Sequence, residues 1–116
     1  MQLTIQAPSI LVCTKPVDFR KAIDGLLDIV LSDLNVDPRT NIFIFYNRYR
    51  TKIKVLAWHK NGFLLLLKRL EKGQFFIAAD DAGLVNVTAQ QLSWLIAGLN
   101  WVSMTEWGEL EYRDFH

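Results

Sequence analysis

The chain has little of what marks secreted, membrane or metal-binding proteins. Its 116 residues hold a single cysteine, Cys13, so no internal disulfide can form, and they hold only two histidines. The N-terminal residues lack the basic segment of a signal peptide, and apolar runs such as 63–67 are far shorter than the roughly 20 residues that span a bilayer. These absences exclude a disulfide scaffold and predict a cytoplasmic protein without a membrane partner.

Apolar and aromatic residues are plentiful instead. Hydrophobic residues make up 51% of the chain, and seven Phe, four Trp and three Tyr supply the bulk that a folded core needs. We therefore expect one compact domain over residues 1–102. Residues 103–116 form an acidic C-terminal tail, which is either docked on the domain or frayed.

Charge is unevenly distributed, although the formal net charge is only +1. Between Arg48 and Lys72 eight cations face the single acid Glu71, which gives this stretch a net charge of +7. From Asp80 onward six acids face only Arg113, a net charge of −5. The middle of the chain is thus a candidate for binding a polyanion, because local charge matters more than the total.

The first third of the chain predicts a strand followed by a helix. Residues 9–14 are rich in branched side chains and lie between Pro8 and Pro16, which is typical of an edge strand. Apolar residues then recur with helical spacing from Phe19 to Leu34, and Asp18 stands at the position of an N-cap. We expect an amphipathic helix over about 19–34.

The remainder predicts a meander of strands and a second helix. Runs 42–46 and 53–58 form a hairpin with a basic tip, and 63–70 is so apolar that we place it centrally, buried on both faces. Shorter strands are expected at 75–77 and 84–87. Thr88 and Gln91 have the spacing of a capping box, and Gly98 is a stop signal near the end of that helix.

These segments together predict the fold class. We expect an α/β protein of the α+β type, in which an antiparallel β-meander sheet of about four or five strands packs against two main helices.

The basic hairpin has two interpretations. Its cations could neutralise phosphates while Tyr46, Tyr49 and Trp58, close by in sequence, stack on unpaired bases. Alternatively, lysines and arginines simply keep a hairpin soluble and shield a strand edge from other chains.

Several strings of residues, in order and with similar gaps, resemble one protein family over about residues 10 to 101. The most specific is Lys68-Arg69-Leu70-Glu71-Lys72-Gly73-Gln74-Phe75; others are Asp18-Phe19-Arg20-Lys21, Asn47-Arg48 and Gly98-Leu99-Asn100-Trp101. They resemble the TnpB-like accessory proteins encoded by the second open reading frame of the insertion-sequence-sixty-six transposon family. This chain departs from that pattern at Phe76-Ile77-Ala78, where similar proteins usually place a Trp-Pro pair.

The resemblance implies a non-enzymatic accessory protein that acts beside the transposase in DNA transposition, with no catalytic residues to carry over. Its expected partners are DNA and the transposase or other transposition proteins of the same element. The candidate DNA-binding residues lie in the basic middle and at the first helix: Arg20, Lys21, Arg48, Tyr49, Arg50, Lys52, Lys54, Lys68, Arg69 and Lys72. Arg20 either extends this basic surface or pairs with Asp24.

The rival hypothesis is a protein-interaction scaffold without DNA contact, in which Trp94 and Trp107 with the acidic tail bind the transposase or another subunit. Enzyme chemistry is disfavoured. Asp24 and Asp28 share a helix face, but two carboxylates do not make a two-metal site, and the histidines are not at metal-ligand spacing. We predict no cofactor, no metal site and no catalytic residue, Cys13 included.

Overall fold

A computed structural model of the chain describes residues 9–77 and 83–103. The described part contains five strands and two main α-helices, the first of which continues as a π-helical turn, and residues 101–103 are also helical. In chain order these are β1 Ser9–Cys13, α1 Ile23–Asp28 with the π-helical segment Ile29–Leu34, β2 Asn41–Tyr46, β3 Lys52–His59, β4 Gly62–Arg69, β5 Leu84–Val87 and α2 Ala89–Ile96. The α+β class and the strand count agree with the prediction.

The strands form one open sheet in the order β4-β3-β2-β1-β5. Strands β2, β3 and β4 form the expected antiparallel meander, and β1 pairs antiparallel with β5. Only β1 and β2 run parallel, because the first helix carries the chain back along the sheet between them. The sheet is therefore mixed rather than wholly antiparallel.

Two strand positions differ from the prediction. The proline-bounded β1 lies inside the sheet between β2 and β5, whereas it was expected at an edge. The apolar β4, expected at the centre, is an edge strand and leaves Leu66 and Leu67 46% and 61% exposed. The central, doubly buried strand is β2, of which Ile42 to Tyr46 are all buried. An apolar run shows that a strand can be buried on both faces, but it does not fix the strand order.

The helices cover opposite faces of the sheet. Leu26 and Val30 of the first helix pack with Phe43, Phe45 and Leu56 on one face, here called the α1 face. On the other, the α2 face, Leu95 packs with a second cluster that includes Ile44, Ile53, Phe75 and Trp101. Alternation along β2 and β3 divides their side chains between the two clusters.

The first helix begins four residues later than its periodicity predicts. Its N-cap is Ala22, which provides no side-chain cap, and Asp18 is not the N-cap. The Asp18 carboxylate instead accepts the Arg20 amide at 2.9 Å and closes a turn before the helix. This is a common alternative for an aspartate, because its short side chain readily bonds to the backbone two residues ahead. At the other end, Asn35 adopts the left-handed conformation (φ 54°) that stops the helix.

The second helix is bounded as the sequence indicates. Thr88 and Gln91 form the reciprocal capping box, with distances of 3.1 and 2.8 Å. At the C-terminus Gly98 has φ +77°, its amide donates to the Leu95 carbonyl, and the Leu99 amide donates to the Trp94 carbonyl. This is a Schellman motif, and it requires the positive φ that glycine adopts without strain.

Residues 75–77 do not form the predicted strand. Phe75 is only 1% exposed and is inserted into the α2-face core, while Phe76 is exposed. The Phe75 amide donates to the Arg50 carbonyl rather than to a strand neighbour. The segment therefore anchors the β2–β3 turn from outside the sheet.

Candidate nucleic-acid interface

The turn between β2 and β3 is held by the side chain of Asn47. Its Oδ1 accepts the amides of Thr51 and Lys52 at 2.9 Å each, and its Nδ2 donates to Thr51 Oγ1 at 2.9 Å. Arg50 takes a positive φ of 58°, a conformation that is costly for a residue with a side chain. The turn is thus fixed by hydrogen bonds, and sequence reasoning overlooked Asn47 even though asparagine at the start of a turn is a recognised signal.

A second segment, residues 70–75, braces the same turn. The Leu70 amide donates to the Thr51 carbonyl at 2.8 Å, and the Phe75 amide donates to the Arg50 carbonyl at 2.6 Å. Between them Gln74 Nε2 donates to the Tyr49 carbonyl at 2.9 Å. Three residues of the string from Lys68 to Phe75, which carries the most specific family resemblance, therefore hold the hairpin turn by hydrogen bonds.

Beside the Arg69–Glu71 ion pair, four further cations lie at this end of the sheet. Arg48 and Arg50 lie in the turn, Lys52 begins β3, and Lys72 lies in the bracing segment and lines one depression together with Arg50. Among residues 9–77 and 83–103, none of the four has an acidic partner within ion-pair distance. We call these four residues and Tyr49 the turn-end surface.

The side chain of Lys54, by contrast, binds groups within the protein. Its ammonium donates to the carbonyls of Phe19 and Lys21 at 2.9 and 2.7 Å and lies 4.7 Å from the centroid of the Phe19 ring. These contacts tie the loop before the first helix to the α1 face of β3. Its donors are thus directed at the protein's own backbone.

Lys68 is also used by the fold, but on the opposite face. It is paired with Ile53 across β3 and β4, which places it on the α2 face. Its ammonium donates to the Ile96 carbonyl at 2.5 Å, at the negative end of the α2 dipole. Lys68 and Lys54 therefore do not share a surface.

Two of the predicted arginines are paired with acids. Arg20 forms an ion pair with Asp18 at 2.6 Å, and not with Asp24, while Arg69 pairs with Glu71 at 2.8 Å. The hydrogen bonds from the Arg20 guanidinium lower the pKa of Asp18 to about 2. Lys21 is exposed beside this turn, where its amide donates to the Asp18 carbonyl and its carbonyl accepts from Lys54.

The three aromatic side chains expected to stack on bases also differ in their exposure to solvent. Tyr46 is buried, its hydroxyl donates to the Thr14 carbonyl at 2.5 Å, and desolvation raises its pKa, so it cannot stack on a base. Trp58 is partly buried edge-on to Phe63, with centroids 5.0 Å apart. Of the three rings expected to stack, only Tyr49, 62% exposed, faces solvent, and the Arg48 guanidinium lies 5.1 Å from its centroid.

The residues proposed for protein contact have less support. Trp94, a candidate contact for the transposase or another subunit, is partly buried and packs against the α2-face core. Trp107 lies outside the described residues.

The acidic and thiol side chains considered for chemistry have the following surroundings in the described part of the chain. No group of three potential metal ligands occurs there, and Asp28 accepts a hydrogen bond from Ser32 at 3.3 Å. Cys13 is buried and its pKa is raised by desolvation, which disfavours the reactive thiolate. The described helices are too short or too polar to cross a bilayer.

Comparison with known proteins gives the chain a family. The sequence profile of the IS66 Orf2-like proteins matches residues 8–106. The chain is 36% identical over 93 residues to the uncharacterized protein y4jC of Sinorhizobium fredii, an alignment covering 79% of this chain and 80% of the relative. It is 30% identical over 91 residues to y4hO of the same organism, covering 78% and 79%. No solved structure matches the chain.

The family profile spans the whole described sheet, both helices and the turn-end surface. The chain therefore belongs to the IS66 Orf2-like family, and it is a transposition-associated accessory protein.

Proposed function

We propose that this accessory protein binds DNA through the turn-end surface. The observation that carries the proposal is that Arg48, Arg50, Lys52 and Lys72 meet around one braced turn with no acidic partner among the described residues. A cation that already bonds to a carboxylate or a carbonyl of the protein gains little binding free energy from a phosphate. These four cations gain the full electrostatic attraction of a phosphate, and the counterions that the phosphate releases add a favourable entropy of binding.

The rigidity of the turn supports this use. Asn47 and the bracing segment hold the backbone on both sides of Arg50. A fixed backbone reduces the conformational entropy lost when side chains close on a ligand, so the available charge is converted more fully into affinity.

The surface wraps around the end of the sheet. Lys52 shares the α1 face with Leu56 by strand alternation, whereas Arg50 and Lys72 line a depression next to Gly98 on the α2 side. A basic surface of this kind suits the backbone of DNA, with contacts to phosphates rather than to base edges. Tyr49 adds one exposed ring, which favours DNA with unpaired bases over a perfect duplex.

The transposase or another transposition protein of the same element is the protein partner that family membership favours. In this proposal the accessory protein brings DNA and that partner together, and it performs no chemistry of its own.

Salt dependence of DNA binding tests the proposal. The variant Arg50→Gln/Lys72→Gln is compared with Arg39→Gln/Lys60→Gln, which removes the same charge at the opposite end of the sheet. Each pair contains one residue with positive φ, Arg50 or Lys60, so backbone effects are matched. We expect the first pair alone to weaken binding and to reduce the slope of log affinity against log salt by about 2.

The scaffold hypothesis makes the opposite prediction. If the purified protein binds neither duplex nor single-stranded DNA at low salt, yet is retained by the transposase of its element, DNA contact is wrong and the protein is an interaction module.

A further inference from the structure

Strand β4 is an unusual edge strand. It is eight residues long, Gly62–Arg69, and its exposed apolar side chains lie on both faces, Leu66 towards the α2 side and Leu67 towards the α1 side. Edge strands are commonly protected by charge, proline, a bulge or shortness. Here the two charges are directed elsewhere, because Lys68 bonds to Ile96 and Arg69 pairs with Glu71.

Among residues 9–77 and 83–103, the backbone groups on the outer side of β4 also have no strand partner. The Leu70 amide bonds to the Thr51 carbonyl, and the β3–β4 register continues this pairing through the even-numbered residues of β4. In an antiparallel ladder the alternate residues then point their amide and carbonyl groups away from β3. Those outward groups belong to Phe63, Leu65, Leu67 and Arg69.

From this edge we infer that two copies of the chain pair through β4, antiparallel, to form one continuous ten-stranded sheet. Paired residues must lie on the same face, so the two-fold axis passes through a residue and not between two. With the two-fold axis at Leu66, the pairing extends along the whole of β4. It places Leu67 opposite Leu65 of the second copy and makes the four outward-facing residues hydrogen-bond among themselves.

The charges fit this arrangement. Lys68 lies opposite Leu64 of the second copy and Arg69 lies opposite Phe63, so no two like charges face each other across the interface. The pairing also buries Leu66 and Leu67. It gives β4 a neighbouring strand on each side, as expected from its apolar sequence. The inference does not depend on DNA binding.

Disulfide trapping tests the register directly. Leu66→Cys would face its own copy across the axis, within the separation that a disulfide spans. Leu31→Cys is the matched control, since Leu31 is 56% exposed on the first helix, and the natural Cys13 is buried and serves as the background. Under mild oxidation we expect most of the Leu66→Cys protein, and little of the control or the wild type, to become a covalent dimer.

Solution mass gives an independent readout. We expect light scattering to show twice the 13.4 kDa of the chain, falling to 13.4 kDa in Leu66→Lys/Leu67→Lys but not in Leu31→Lys. Circular dichroism establishes whether the double variant is folded, and if it is not, the trapping result decides.

Two results would overturn the inference. The first is a wild-type mass of one chain at every concentration, with Leu66→Cys trapped no faster than Leu31→Cys; another occupant then covers the edge. The second is a dimer that persists in folded Leu66→Lys/Leu67→Lys without trapping at position 66, because that dimer uses a different surface.

Discussion

Lys54 and Lys68, within strands β3 and β4, differ from the cations of the turn-end surface in what their side chains contact. Lys54 and Lys68, on opposite faces of the sheet, donate to backbone carbonyls of Phe19, Lys21 and Ile96. Arg50 and Lys72, at the turn end, have no such acceptor among the described residues. A basic stretch of sequence therefore divides into cations that stabilise the fold and cations that remain available to a ligand.

The largest expected effect is the loss of stability when Phe75, which anchors the segment next to the turn end, is truncated. Phe75→Ala removes a side chain that is 1% exposed in the α2-face core, and it should lower the free energy of unfolding by about 3–5 kcal/mol. Denaturant titration measures the change. Phe76→Ala, at the exposed neighbouring position, is the control and should cost less than about 1 kcal/mol. Equal losses would mean that Phe75 does not anchor the segment.

Removing a cation that the fold uses should have a smaller but clear effect on stability. Lys54→Met keeps the apolar stem but loses two charge-assisted hydrogen bonds, at a cost of roughly 1–3 kcal/mol in the free energy of unfolding. The side chain of Lys52, two residues earlier on the same face, has no such acceptor among the described residues, so Lys52→Met should change stability by less than about 0.5 kcal/mol. If both variants unfold alike, the division between the two groups of cations is wrong.

Lys68 should contribute less than Lys54, because it is exposed. Lys68→Met removes a positive charge from the C-terminus of α2, which should cost roughly 0.3–1 kcal/mol at low salt and less at high salt. Thermal unfolding at two salt concentrations measures this difference. Lys60→Met, in the β3–β4 turn at the opposite end of the sheet, provides the comparison, and a salt-independent loss at Lys68 would contradict the contact.

The smallest effect is a change in titration at the Asp18 turn. Arg20 lowers the pKa of Asp18 to about 2, so the ion pair is fully present above the ordinary value of 3.8 and is lost as the pH falls through about 2. We expect Arg20→Gln to return the pKa towards 3.8, as followed by carboxyl NMR, and to leave DNA binding unchanged. As the control, Arg39→Gln should leave the pKa of Asp18 unchanged. Weakened DNA binding in Arg20→Gln would add Arg20 to the interface.

Local signals in the sequence predicted the local structure well. The capping box at Thr88, the stop at Gly98 and the β2–β3 hairpin are all present, because each depends on residues only a few positions apart. The strand order was harder to predict. The runs in β1 and β4 show strand propensity and apolarity, but which strand lies inside is decided by the parallel β1–β2 pairing across the first helix.

The candidate site could be predicted only in part, for the same reason. Alternation along β3 correctly indicates that Lys52 and Lys54 share a face. The carbonyls that Lys54 reaches, however, lie 35 and 33 residues away in sequence, and the one that Lys68 reaches is 28 residues away. Sequence therefore finds the basic residues, whereas the tertiary fold decides which of them are already used.

The most direct test compares DNA binding by two variants that each lose two positive charges. Lys54→Met/Lys68→Met removes cations used by the fold, and Arg50→Gln/Lys72→Gln removes cations of the turn-end surface. Affinity for labelled DNA is measured against salt at a temperature where both variants are folded. We expect a salt slope lowered by about 2 in the second variant and unchanged in the first. Equal slopes, or a loss confined to the first variant, would contradict DNA binding by the turn-end surface.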